Sequence, residues 1–309
     1  MQTVVNVVLP VFAIVLAGYA CGRFRLLGPG GSDALNGFVY FAALPALFFG
    51  ALAKVELSQI FNWPYLNAYL LGLLASALIA MAVGRFVFRT RGAALAVQNM
   101  GAIFSNTGYM GIPLAITAFG REAALPAILL TIVNGALIMG LYILWIETQL
   151  STASRRLHVA RDAFVGVFKS PLVLSAIAGI LASASAIEVP APLLTFCDIM
   201  GAAAPPAALF AMGLFMVGKS FKGDMVEVSA MSALKLVVHP IATFAVACWL
   251  IPVDLEWFRV LLLMSALPTG SLVFVLASQN DTYVRRATGI ILGSTLASVV
   301  TLSLLLSYL

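Results

Sequence analysis

Residues 104–113, Phe-Ser-Asn-Thr-Gly-Tyr-Met-Gly-Ile-Pro, gather hydrogen-bonding side chains and helix breakers inside an apolar stretch long enough to cross a bilayer. Ser105, Asn106 and Thr107 offer neutral hydrogen bonds, while Gly108, Gly111 and Pro113 disfavour a continuous helix. An unwound backbone at membrane depth leaves amides and carbonyls unpaired at several kcal/mol each, so it persists only against protein or a water-filled cavity. A helix that restarts after such a break presents free amides and the positive end of its dipole, which favours an anion such as a carboxylate. Ala266-Leu267-Pro268-Thr269-Gly270-Ser271 is a second stretch of this kind, with Thr269 and Ser271 supplying hydroxyls.

Lys235 and His239 stand one helical turn apart in another apolar run, roughly 10 and 17 Å from its cytoplasmic start at 1.5 Å per residue. An ionisable group at that depth reads as functional by default. Lys235 could be a fixed cation supporting the broken helices, or either residue could exchange protons; the plain alternative is a snorkelling lysine and a histidine bonded to a carbonyl. His239 precedes Pro240 and could serve backbone geometry instead. Carboxylates are scarce in the apolar runs, with no buried cluster of the kind that binds sodium; Asn99 and Asn134 remain as uncharged alternatives, though each reads first as a helix-to-helix hydrogen bond. Gly18 and Gly22, and Gly289 and Gly293, have spacings that suit helix packing. His158 and His239 are the only histidines, so neither a multi-histidine metal site nor a catalytic triad is expected. No phosphate-binding loop is present either. These residues point away from an enzyme, a nucleotide-driven pump, and any metal or cofactor.

The elements that must position these residues are membrane helices. Of 309 residues 62% are apolar and 9% charged, with a mean hydropathy of +1.06, which is a polytopic membrane composition rather than a soluble one. At about 20 apolar residues per crossing, ten spans are expected near 3–22, 34–53, 65–86, 93–119, 124–146, 170–186, 194–217, 228–251, 258–278 and 284–308. The first has no preceding positive charge and no small-residue cleavage pattern at Tyr19-Ala20-Cys21, so it reads as a span rather than a signal peptide. Cys21, Cys197 and Cys248 lie in or beside apolar runs without metal-ligand spacing.

Arg23, Arg25, Arg85, Arg89, Arg91, Arg155, Arg156, Arg161, Lys169, Lys219, Lys222, Arg285 and Arg286 fall in the odd connections, against Lys54, Arg121 and Arg259 in the even ones. The positive-inside rule then puts the odd connections in the cytoplasm and both termini outside. Basic residues spread in this way reflect topology, not nucleic-acid binding. A shift of 161 residues lays Pro10 on Pro171, Gly18 on Gly179, and Ala43, Pro45, Ala46 and Phe49 on Ala204, Pro206, Ala207 and Phe210. A six-residue contraction then brings Pro113 onto Pro268. Five spans per repeat is an odd number, so the halves, 1–150 and 170–309, are inverted about a basic linker at 151–169. Inverted repeats with matching interrupted helices point to a secondary transporter whose site lies at the midplane.

Asn106-Thr107-Gly108-Tyr109-Met110-Gly111-Ile112-Pro113-Leu114, Ala266-Leu267-Pro268 with Phe274-Val275, Asn36-Gly37-Phe38-Val39 with Leu44-Pro45, and Lys235-Leu236 with Pro240 appear in order at suitable spacing. On these motifs the chain resembles the auxin efflux carrier family, the PIN-like transporters and their bacterial relatives, over nearly all of both halves. The long central loop of many plant members is missing here. The resemblance implies an all-α protein with a scaffold of spans 1, 2, 6 and 7 that forms a homodimer, and a moving unit of spans 3–5 and 8–10. The broken spans 4 and 9 would cross at Pro113 and Pro268, with substrate beside the crossing. Asn106 would meet its carboxylate, aided by Ser105, Thr107, Gly108, Thr269, Gly270 and Ser271, with Leu44 and Pro45 on the facing wall. Movement would be of the elevator type, in a bacterial inner membrane. Bacterial relatives are associated with malonate and malate, plant ones with auxin; related bile acid symporters use sodium. A sodium-coupled symporter and a non-transporting sensor of organic acids stay open as alternatives.

Overall fold

The computed structural model describes residues 4–28, 30–150, 165–166, 168–185, 188–219 and 224–309. Most of the expected linker, with Arg155, Arg156, His158 and Arg161, lies outside the described residues, as does Lys222. In chain order the helices are α1 (Asn6–Arg23), α2 (Gly31–Leu52), α3 (Leu57–Val87), α4 (Gly92–Ile103), α5 (Thr107–Phe119), α6 (Arg121–Leu150), α7 (Pro171–Ala184), α8 (Ala191–Met216), α9 (Met225–Trp249), α10 (Leu255–Ala266), α11 (Leu272–Gln279) and α12 (Val284–Tyr308). Among the described residues there is no strand, and seven helices, α1, α2, α3, α6, α8, α9 and α12, are long and apolar enough to cross a membrane.

Proline shapes several of these helices in one way. α2, α5 and α9 each contain a π-helical turn, at Val39–Ala43, Thr107–Gly111 and Leu234–Val238, and Pro45, Pro113 and Pro240 come two residues after those turns. A proline ring clashes with the carbonyl one turn back and offers it no amide, so the preceding turn widens instead of breaking. Side-chain caps set some starts: Asp224 Oδ1 accepts from the Val226 amide at 3.1 Å at the head of α9, and Asn62 Oδ1 from the Tyr65 amide at 3.1 Å within α3.

Large apolar side chains point both ways. Tyr65, Tyr69, Phe48 and Met100 are fully buried, while Leu16, Phe41, Leu78, Phe86, Trp249 and Val300 are exposed around the bundle, as a lipid-facing perimeter requires. α1 packs on α8, and α2 on α7 and α8; α3 packs on α9, α4 on α6 and α3, and α9 on α12 and α10. The tightest crossing is α1 on α8. A Cβ on Gly213 would sit 2.0 Å from the Val15 carbonyl oxygen, and one on Gly18 would sit 2.1 Å from that of Phe210. Backbone lies against backbone there, so no side-chain rotation can make room. Gly213→Ala is therefore expected to cost about 1–3 kcal/mol, read as a lower melting temperature in detergent. An unchanged melting temperature would show that the crossing can widen freely.

Candidate functional site

α4 ends at Ile103 and α5 begins at Thr107; α10 ends at Ala266 and α11 begins at Leu272. The two gaps run antiparallel past each other, with Ser105 opposite Thr269. The Asn106 amide donates to the Pro268 carbonyl at 2.9 Å, and the Gly270 amide to the Phe104 carbonyl at 2.9 Å. Each break thus satisfies backbone groups that the other exposes, which answers the cost of unwinding at depth. The Asn106 carbonyl accepts from the Met110 and Gly111 amides at 3.2 and 3.0 Å, closing the first turn of α5. Thr269 is locked in place, its amide on Ser294 Oγ at 3.0 Å and its hydroxyl on the Gly101 carbonyl at 2.7 Å.

Four helix ends meet at this crossing, and their polarity sorts the chemistry. α5 and α11 start here with their positive dipole ends, although the Thr107, Val273 and Phe274 amides already bond nearby carbonyls; α4 and α10 finish here with negative ends. A cavity of about 470 Å³ lies against the starting ends, lined by Ser105, Asn106, Thr107, Gly108, Gly270 and Ser271. Thr131 and Asn134 of α6 complete that wall, and Asn36, Tyr40 and Leu44 of α2 face it with Leu172 and Phe215. Among the described residues lining it, Asp33 is the only charged one. At one edge Phe215 packs edge-on to Phe274, and the Lys219 ammonium sits 3.6 Å over the Phe274 ring centroid.

Asn106 is buried, and its Nδ2 donates to Met212 Sδ at 2.9 Å. A thioether is a weak acceptor, so an incoming oxygen can take that donor over. Asn134 Nδ2 donates to the Tyr69 hydroxyl at 2.6 Å and to the Leu130 carbonyl at 2.9 Å, whereas its Oδ1 is buried without a partner.

Lys235 lies at a finishing end. Its side chain is fully buried, and its ammonium donates to the Ser265 carbonyl in the last turn of α10 at 2.7 Å. A cation placed there meets both an orphan carbonyl and the negative dipole end. Its other contact is His239 Nδ1 at 3.2 Å. With Lys235 protonated, Nδ1 is the acceptor and Nε2 carries the ring hydrogen, buried and without an acceptor among the described residues. The Tyr69 ring, 5.9 Å from that of His239, connects this pair to Asn134 and the cavity.

The residues expected from sequence separate in space. Asn106, Ser105, Thr107, Gly108, Gly270, Ser271 and Leu44 share the cavity. Pro268 gives its carbonyl to the crossing and Thr269 turns away from the cavity toward Gly101. Pro113 is buried within α5 and Pro45 half-buried in α2, and both widen a turn without lining the cavity. Asn134, read from sequence first as a helix-to-helix hydrogen bond and second as an uncharged site group, makes that bond to Tyr69 of α3 and also stands among the lining residues.

A second polar cluster escaped sequence reasoning. Glu227, at 2% exposure, accepts from Gln98 Nε2 at 2.5 Å and from the Tyr283 hydroxyl, and pairs with Arg286 Nε at 3.0 Å. Burial first, and then the bond to Glu227, push the Tyr283 phenol well above the usual tyrosine range, so it stays a donor. The cluster ties α4, α9 and α12 together.

A helical bundle with a lipid-facing perimeter and two crossed chain breaks beside a mostly apolar cavity edged by hydrogen-bonding groups fits an integral membrane transporter. Residues 3–306 match the family described as membrane transport protein, and the chain belongs to that family, in keeping with its resemblance to the auxin efflux carriers. It is 29% identical over 307 residues to a Rhizobium meliloti protein named "Putative malonate transporter", covering 99% of this chain and 96% of that one. An Escherichia coli protein named uncharacterized transporter YfdV is 27% identical over 300 residues, 95% and 93% of the two chains. A Methanocaldococcus jannaschii protein, uncharacterized transporter MJ1031, is 25% identical over 282 residues, 88% of each.

Proposed function

We propose that the protein is a secondary active transporter of small organic anions, malonate-like carboxylates foremost. The observation that carries this reading is the convergence of two helix starts, with Asn106, Thr107 and Ser271 beside them, on one cavity of about 470 Å³. Positive dipole ends and neutral donors stabilise a carboxylate without a fixed cation that would hold it too tightly to release. The name of the Rhizobium meliloti relative supports the substrate class. Lys235 serves as the built-in counter-charge to the finishing end of α10, in a position where a bound metal ion would otherwise be needed.

On this reading the helices form ten spans in two inverted repeats, α4 with α5 and α10 with α11 each making one broken span. α1, α2, α7 and α8 are the scaffold and the remaining helices the moving unit. Two features support the division: α1 and α2 pack on α7 and α8, and the cavity lies between α2, α7 and α8 on one side and α5, α6 and α11 on the other. An elevator motion of one unit past the other would carry the crossing across the membrane. The homodimer, the inner-membrane location and the external termini complete the proposal from the family resemblance and the charge pattern.

Binding is testable with purified protein in detergent. A ligand at a hundredfold excess over its Kd stabilises the native state by about 2.7 kcal/mol, so malonate should raise the melting temperature by several degrees and Asn106→Ala should remove the rise. Full affinity in Asn106→Ala would place the site elsewhere, and no response to any small carboxylate would overturn the substrate class.

A further inference from the structure

The donors and acceptors around the cavity are unevenly matched. Asn134 lines it, and its amide orientation is fixed because the Leu130 carbonyl can receive only the Nδ2 side. Its Oδ1 is therefore an acceptor, 1% exposed as a residue and without a hydrogen-bond partner. A bare carboxylate cannot satisfy that atom, since two acceptors would face each other. Among the described lining residues there is no Lys, Arg or His and Asp33 adds a negative charge; Lys219, at one edge, is engaged on the Phe215 and Phe274 rings, so a second full negative charge beside Asn134 would be poorly compensated.

We propose that Asn134 is a specificity-determining residue that selects a monoanion carrying its own hydrogen-bond donor. One carboxylate lies at the starts of α5 and α11, and a donor on the far end of the ligand reaches Asn134 Oδ1. The ligands that fit are the half-protonated form of a short dicarboxylate, a hydroxy acid or an acid amide. A dicarboxylate taken in this way brings a proton into the site on itself. This inference rests on the reading of the cavity as an organic-anion site.

The test compares two monoanions of nearly equal shape, malonamate and acetoacetate, which differ by an amino group against a methyl group. A site with a buried acceptor rejects the analogue that lacks the donor, because the acceptor is then left unpaired. By calorimetry or thermal shift on the whole protein, malonamate should bind about tenfold or more tighter than acetoacetate. In Asn134→Leu the gap should close. Equal affinities in the unaltered protein would overturn the inference whether or not the variant folds, and so would a gap that persists unchanged in Asn134→Leu. If malonate, malonamate and acetoacetate all fail to bind, the organic-anion reading falls and the inference with it; if they bind without discrimination, only the inference falls.

Discussion

Lys235→Met is expected to abolish transport and leave a folded protein. The methionine keeps the length and apolar stem of the lysine but removes the ammonium that meets the Ser265 carbonyl at the finishing end of α10. The Ser265 carbonyl and His239 Nδ1 lose their donor, at about 1–3 kcal/mol for each buried acceptor left unpaired. Against this, the variant no longer holds a charge in a fully buried position, and relief of that desolvation offsets part or all of the loss. Stability therefore changes little, while on the proposed reading the end of α10 loses the charge that balances its dipole and holds its geometry as the protein works. Lys235→Arg does not restore function, because a planar guanidinium demands more room and more acceptors than this site supplies. Melting curves and uptake into proteoliposomes read the two effects separately. Normal uptake in Lys235→Met would remove the counter-charge role, and an unfolded variant would make the residue a stability element instead.

Glu227→Ala has the largest expected effect on stability. One buried carboxylate receives Gln98 of α4, Arg286 of α12 and Tyr283 at the head of α12, and its removal leaves three donors without their acceptor. Breaking a buried charged network from one side costs about 3–5 kcal/mol. Glu227→Gln keeps the shape and one acceptor oxygen and should cost less, since Arg286 is 43% exposed and can turn to solvent. The order expected in thermal melts is unaltered protein, Glu227→Gln, Glu227→Ala. A Glu227→Ala protein that melts with the unaltered one would show that α4, α9 and α12 hold together without the cluster.

Different parts of this molecule were legible in the sequence for different reasons. The breaks were visible because Gly108, Gly111, Pro113, Pro268 and Gly270 conflict with the apolar runs that contain them, and such a conflict has few physical resolutions. That the breaks pair backbone to backbone through Ser105 and Thr269 was not visible, since residues 164 positions apart meet only through the packing of whole helices. The same limit explains Thr269, whose hydroxyl was read toward substrate and instead binds the Gly101 carbonyl. Lys235 stood out as a charge within an apolar run, but its partner is a backbone carbonyl, which carries no side-chain signature. Asn134 offered a polar residue at midspan and nothing to separate packing from lining; in the structure its Nδ2 makes the packing bonds, and the residue stands among those lining the cavity. Glu227 was set one residue outside the expected start of its span at 228, because helix ends are the least determined feature of an apolar pattern, whereas α9 begins at Met225 with Asp224 as its cap.

Counterflow of labelled malonate in proteoliposomes tests the central claim most directly, because a transporter exchanges its substrate across the membrane and a binding protein does not. Vesicles loaded with unlabelled malonate should accumulate the label with the unaltered protein and fail to do so with Asn106→Ala. No accumulation by the unaltered protein, with binding intact, would contradict transport, and full accumulation by Asn106→Ala would contradict the placement of the site at the crossed breaks.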